Sequence, residues 1–140
     1  MHIIKSKHDL VASLLSLRRK DEKVTIGFIP TMGALHSGHA SLIDESVSEN
    51  TITVCSIFVN PTQFGDKSDL DKYPKPIEKD IEILIKHKCD ILFLPEFEDV
   101  YSANCIQQKF ELGELEFTIE GASRPGHFQG VCNVVHRLFE

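Results

Sequence analysis

Two imidazoles stand three residues apart, at His36 and His39, in the stretch Thr31-Met32-Gly33-Ala34-Leu35-His36-Ser37-Gly38-His39. An apolar run at 24–30 precedes them. Ala40, Leu42, Ile43 and Val47 follow at helical spacing. The pair therefore sits where a strand hands over to a helix. Such a junction offers backbone N–H groups and the positive end of a helix dipole, both suited to a phosphate. Imidazole adds a donor that is only partly charged near neutral pH. Three readings fit the spacing: a phosphate site, a metal site with His127 as the obvious third ligand, and a structural pair that caps the helix. Gly38 has no side chain, so a ligand can approach the backbone there.

Asn60 and Gln63 follow a second apolar, β-branched run at 51–59. Neutral amides in that place hydrogen-bond a substrate hydroxyl or carboxylate without a charge partner. Equally, Asn-Pro is a common strand terminator. Arg124 and His127 share the segment Arg124-Pro125-Gly126-His127-Phe128. A guanidinium grips phosphate or carboxylate in a fork, and a plain loop with an exposed arginine fits the same residues. The acidic run at 78–82 reads as a solvated helix face. Cys55, Cys89, Cys105 and Cys132 form no C-x-x-C pair. They read as free thiols of a reducing cytosol, Cys55 and Cys132 in apolar surroundings, rather than as a zinc site or disulfide framework.

These residues need a scaffold, and the periodicity supplies one. Residues 1–4 read as a short edge strand. Residues 8–19 read as a helix with Leu10, Leu14 and Leu17 on one face and basic residues at its end. Strands are expected at 24–30, 51–59, 91–94 and 107–112, and helices at 38–49, 77–88 and 131–139. The buried face of 77–88 is expected to carry Ile77, Ile81, Leu84 and Ile85. That of 131–139 is expected to carry Val131, Val134, Val135 and Leu138. The polar stretch 65–76 reads as a surface loop. An irregular stretch with Tyr101 and Asn104 follows Pro95, and turn formers crowd 121–130. Strands alternating with helices imply an α/β fold with a doubly wound parallel sheet, whose strands are apolar on both faces. Ligands of such sheets bind at the carboxyl ends of strands. Here those ends are 30–33 and 59–63, which the topology should set side by side.

The chain has 140 residues, 41% of them hydrophobic, enough for one domain with a core and too apolar for a disordered chain. Its net charge of −6 argues against nucleic-acid or membrane-surface partners, which require a basic face. No apolar run is long enough to span a bilayer, and no secretory signal is visible.

Three segments together resemble the pantothenate synthetase (pantoate–β-alanine ligase) family. They are Pro30 to His39, Ser56-Ile57-Phe58-Val59-Asn60-Pro61-Thr62-Gln63-Phe64, and Glu120-Gly121-Ala122-Ser123-Arg124-Pro125-Gly126-His127-Phe128-Gln129-Gly130-Val131. Asp71-Lys72-Tyr73-Pro74 is also similar to that family. The His-x-Gly-His element alone points only to the wider nucleotidyltransferase superfamily. The resemblance implies a Rossmann-like nucleotide-binding domain acting on ATP with Mg²⁺, in a cytoplasmic homodimer. Pantoate and ATP would give a pantoyl adenylate and pyrophosphate, and β-alanine would then displace AMP. Met32, Gly33, Ala34, Leu35, His36, Ser37, Gly38 and His39 would line the ATP site, with His36 and His39 catalytic and His39 the proton donor. Gln63 would contact pantoate and β-alanine, with Asn60 beside it. No metal ligand is assigned.

The family pattern runs on past Glu140 with Gly-Glu-Lys-Asp and Ser-Ser-Arg-Asn segments that complete the ATP site. Residues 1–140 are therefore expected to be an amino-terminal portion without the carboxyl-terminal lid domain and with an incomplete sheet. Cys132-Asn133 replaces the family's usual threonine, with a small packing effect expected. Two other functions compete with the ligase: another nucleotidyltransferase, and a non-catalytic α/β module. A turnover assay on the 140-residue chain checks the portion directly, and little or no ligase activity is the expected outcome.

Overall fold

β-branched side chains lose rotamer freedom in a helix and pack well on a pleated surface, and here the runs that carry them pair with one another. The computed structural model describes residues 1–65, 67–101 and 105–140. In chain order the elements are β1 (His2–Ile4), α1 (Lys7–Lys20), β2 (Ile26–Thr31), α2 (Ser37–Glu49), β3 (Ile52–Ile57), a 3-10 turn (Pro61–Gln63), α3 (Lys67–Lys72) and α4 (Ile77–Lys86). Then come β4 (Ile91–Phe93), α5 (Phe97–Val100), a second 3-10 turn (Gly113–Glu116), α6 (Glu120–Ser123) and α7 (His127–Phe139). They form two units, residues 1–58 with 74–99 and residues 59–73 with 100–140. Among the described residues, no helix is long and apolar enough to cross a membrane.

The first unit holds the parallel α/β sheet that the sequence predicts, in the order β1-β4-β3-β2. β2 and β3 pair without a break from Ile26↔Ile52 to Thr31↔Ile57, and β1 is an edge strand as expected. Ile29, Leu35, Ile43, Cys55, Leu84, Cys89 and Leu92 form the buried cluster. Each buried aliphatic side chain of this kind contributes roughly 1.5–3 kcal/mol relative to exposure. α1 is capped by Ser6, whose hydroxyl accepts the Asp9 N–H at 3.0 Å, and closes on Arg18, Arg19 and Lys20. α2 lies on β2 and β3. In the α2 contact the buried hydroxyls of Ser46 and Thr53 meet at 2.8 Å. Gly27 makes room for this, because a Cβ there would stand 2.0 Å from Ser46 Oγ and 2.7 Å from Asn50 Nδ2.

Helix α4 corrects the expected face of 77–88. Ile85 is 59% exposed, and the inward stripe is Ile77, Asp80, Ile81 and Leu84, with Asp80 only 1% exposed. The stretch 65–76 is not all loop: α3 forms between Gly65 and Pro74, where no helix breaker intervenes. Residue 66 lies outside the described residues, as does Asn104 of the irregular stretch after Pro95.

In the second unit the strand expected at 107–112 is absent, for an identifiable reason. The backbone there is paired by side-chain amides from α7 instead of by another strand. Gln108 N–H donates to Asn133 Oδ1 at 2.9 Å, and Asn133 Nδ2 donates back to Gln108 C=O at 2.9 Å. Phe110 N–H donates to Gln129 Oε1 at 3.0 Å, and Gln129 Nε2 donates to Phe110 C=O at 2.7 Å. Asn133 is thus a buried tie and more than the minor packing change expected of it. α7 begins at His127, ahead of the expected 131, and takes in Gly130, where a Cβ would meet Thr62 C=O at 2.7 Å. Val135 faces outward, and Gly130, Asn133 and Val134 are the buried positions. All four cysteines are free. Cys55 and Cys89 are buried, whereas Cys132 is only half-buried. Burial, reinforced by the neighbouring Cys89, pushes the Cys55 thiol up to about 12, so it is inert as a nucleophile.

Gly27→Ala is expected to lower stability by about 1–3 kcal/mol, read as a shift in the urea midpoint at unchanged slope.

Candidate functional site

β2 ends in a hydroxyl hinge. Thr31 Oγ1 donates to Ser56 C=O at 2.8 Å and accepts the Gly33 N–H at 3.1 Å. The chain then passes through two consecutive left-handed residues, Gly33 at φ +81° and Ala34 at φ +51°. Glycine adopts that conformation freely, whereas alanine incurs roughly 1–2 kcal/mol. A carboxylate meets the turn from α4: Ala34 N–H donates to Asp80 Oδ2 at 2.9 Å and Leu35 N–H to Asp80 Oδ1 at 2.7 Å. The acidic residue expected on a solvated face is therefore a buried acceptor for two loop amides. The N–H groups of Ala34 and Leu35 are thereby engaged within the chain. The Leu35 side chain enters the core.

His36 is the N-cap of α2. Gly38 N–H donates to His36 Nδ1 at 3.1 Å, and His36 N–H donates to His39 Nδ1 at 3.3 Å. The ring centroids are 4.2 Å apart. A backbone N–H can only donate, so each Nδ1 must offer its lone pair, and the hydrogen of each neutral ring lies on Nε2. The capping reading and the anion-binding reading thus describe one arrangement. The Nδ1 atoms hold the helix start, and the Nε2–H groups on the far side of each ring are donors. A Cβ on Gly38 would lie 3.0 Å from His36 Cε1, so the glycine first of all lets that ring fold over the helix end. Burial lowers the pKa of His39, the charge of His36 lowers it further, and the Asp80 charge opposes both. His39 is accordingly a neutral donor at neutral pH.

The second unit carries the amides. Asn60 is wholly buried. Its Oδ1 accepts from Thr62 N–H at 3.2 Å, Thr62 Oγ1 at 3.0 Å and Tyr101 OH at 3.1 Å. Its Nδ2 donates to Gly130 C=O at 3.3 Å and to Gln63 Oε1 at 3.2 Å. An N–H on one side and a C=O on the other fix which arm of the amide is oxygen. That in turn sets the Gln63 amide with Oε1 toward Asn60. His127 Nδ1 lies 3.0 Å from Gln63 C=O, so this ring carries its hydrogen on Nδ1, opposite to the other two. Arg124 pairs with Glu120 at 3.0 Å on the surface, half-exposed, where such a pair contributes little.

Asp80 and Tyr101 escaped the sequence reading as site residues. Asp80 carried a signal: it lies three residues after Ile77 and four before Leu84, inside the apolar stripe. Tyr101 carried none. Among the described residues, no three His, Cys, Asp or Glu side chains are grouped so as to hold a metal ion.

In a histidine-resolved NMR titration, His39 is expected to titrate below 6.5, the value of an unperturbed ring. A lowered folded-state pKa means that His39 adds stability above pH 6.5, which is lost as the pH falls through the folded value. His39→Gln should flatten the fall in stability over that acidic range. Asn60→Asp sets a carboxylate oxygen against Gly130 C=O and Gln63 Oε1, and is expected to remove about 2–4 kcal/mol in equilibrium unfolding.

The sequence model of the pantoate-beta-alanine ligase family matches residues 2–140. A pantothenate synthetase of Azobacteroides pseudotrichonymphae genomovar. CFP2 is 50% identical across all of this chain and 49% of its own length. One from Bacteroides thetaiotaomicron is 48% identical over the same shares. Among solved structures, the pantoate-beta-alanine ligase of Francisella tularensis, complexed with beta-gamma ATP and beta-alanine, superposes with a TM-score of 0.84 at 42% identity. The match covers 99% of this chain and 52% of that one. The enzyme of Thermus thermophilus gives 0.80 at 40%, covering 99% and 48%. The chain spans about half the length of the curated relatives it matches. With a match from end to end, and relatives sharing half of its residues, the chain belongs to the pantoate-beta-alanine ligase family.

Proposed function

We propose that this chain is the nucleotide-binding portion of an enzyme that joins pantoate to β-alanine through a pantoyl adenylate. The observation that carries the reading is the pair of imidazoles whose Nδ1 atoms both accept backbone N–H groups. Two Nε2–H donors on neighbouring rings at a helix N-terminus match phosphate oxygens on which charge grows. Family membership, and the Francisella enzyme's complex with beta-gamma ATP and beta-alanine, support the choice of substrates.

In the first step a pantoate carboxylate oxygen attacks the α-phosphorus and the bond to pyrophosphate breaks. His36 and His39 donate to phosphate oxygens, and positioning plus preorganised donors supply the acceleration. In the second step the β-alanine amine attacks the acyl carbon, AMP leaves, and the amide of Gln63 holds the substrates. Met32, Gly33, Ala34, Leu35, Ser37 and Gly38 line the ATP site with the two histidines. Asn60 supports Gln63 from within the second unit. Mg²⁺ belongs to the proposal as the counter-ion of the nucleotide. Both Asp80 oxygens accept loop amides, so this carboxylate is engaged within the fold. A cytoplasmic homodimer completes the proposal.

The test is exchange of labelled pyrophosphate into ATP by the full-length protein. Exchange is expected to require pantoate and to fall roughly a hundredfold in His39→Ala or His36→Ala. Unchanged exchange in both variants would sink the histidine assignment. Exchange without pantoate would point to a different nucleotidyltransferase.

A further inference from the structure

A buried carboxylate is the wrong sign of charge to place behind an anion site, since it repels the ligand. Asp80 nevertheless stands there, 1% exposed, in the first turn of α4. It does not cap its own helix with its side chain. Its backbone N–H bonds Pro76 C=O, and both side-chain oxygens turn to the loop between β2 and α2. The loop is shaped to receive them. Gly33 leaves open the space where a Cβ would crowd Asp80 Oδ2 at 2.9 Å, and Ala34 holds a left-handed φ that an alanine does not choose unaided. Two residues after Ala34 comes His36, whose own N–H must reach His39 Nδ1.

We propose that Asp80 is the positioning residue of the histidine pair. Through the amides of Ala34 and Leu35 its carboxylate sets the loop that delivers His36 and His39 to the start of α2 with both Nδ1 atoms accepting backbone N–H groups. Asp80 does not bind the nucleotide, because its two oxygens are already engaged and buried. It acts through the backbone, and its charge offsets part of what burial and His36 do to His39. The functional half of this inference rests on the nucleotide reading above. The structural half does not.

The test uses ¹⁵N-histidine spectra of the full-length protein, with the His36 and His39 signals assigned through His36→Gln and His39→Gln. Both rings are expected to show a lone-pair Nδ1 in the parent protein. In Asp80→Asn one arm of the amide opposes a loop N–H, so the Nδ1-protonated tautomer should appear at His36. Pyrophosphate exchange should fall by roughly tenfold to a hundredfold, with KM for pantoate held within about twofold. Adding Ala34→Gly, which accepts the left-handed φ without strain, should restore part of the rate. If Asp80→Asn fails to fold, Gly33→Ala should reproduce the tautomer change, since its Cβ, at a left-handed φ, intrudes on Asp80 Oδ2 at 2.9 Å as well as on Ile57 Cγ2 at 3.0 Å, while the Asp80 carboxylate itself is kept. Unaltered tautomers and rate in folded Asp80→Asn overturn the proposal. So does a lost rate with unaltered tautomers and no recovery from Ala34→Gly. If the parent shows no pantoate-dependent exchange while Asp80→Asn still changes the tautomers, the nucleotide reading fails and the positioning role stands.

Discussion

Two backbone amide protons, those of Gly38 and His36, end on imidazole nitrogens, and the chemistry of the β2–α2 junction depends on that constraint. Helix starts leave N–H groups without partners, and most proteins satisfy them with hydroxyls or carboxylates. An imidazole does the same work with one nitrogen and keeps a second, oppositely directed group for other use. The need to finish a helix and the need to present donors are met by the same two rings. Because the tautomer is dictated by the main chain, it does not have to be selected when a ligand arrives.

The elements beneath the rings make this geometry hold. The unbroken register of β2 with β3 fixes where Thr31 ends. The Thr31 hydroxyl closes the first turn of the loop, and the core anchors it through Leu35. In the second unit the same logic appears in amides: groups that can only donate or only accept leave the Asn60 carboxamide a single orientation, and that fixes Gln63 in turn. Preorganisation here consists of polar atoms whose alternatives have been removed by neighbours of fixed polarity.

Much of this was legible in the sequence because it is written in period. The apolar runs at 24–30 and 51–59 become paired parallel strands, and the residues after His39 become α2. The histidine spacing places both rings on one helix start, as observed. What the sequence hid is polarity inside apolar stripes. Asp80 looked like one acid among several on a solvated face, and its partners are backbone amides of residues 34 and 35, which no side-chain pattern displays. The segment at 107–112 misled for a related reason. Its alternation fits a strand, but its backbone partners are the carboxamides of Gln129 and Asn133 and not a strand. Gly130 read as a turn former and is instead a close helix contact. Side-chain substitutes for secondary structure leave no periodic trace.

That carboxamide ladder has a consequence for how the chain behaves among its own copies. An extended segment with open N–H and C=O groups is a template on which another polypeptide can add as a strand. At residues 108 and 110 both groups of each residue are already answered from within the same chain by α7. Those four groups are closed to recruitment by a neighbouring chain, a form of protection against self-association that needs no charge, proline or bulge.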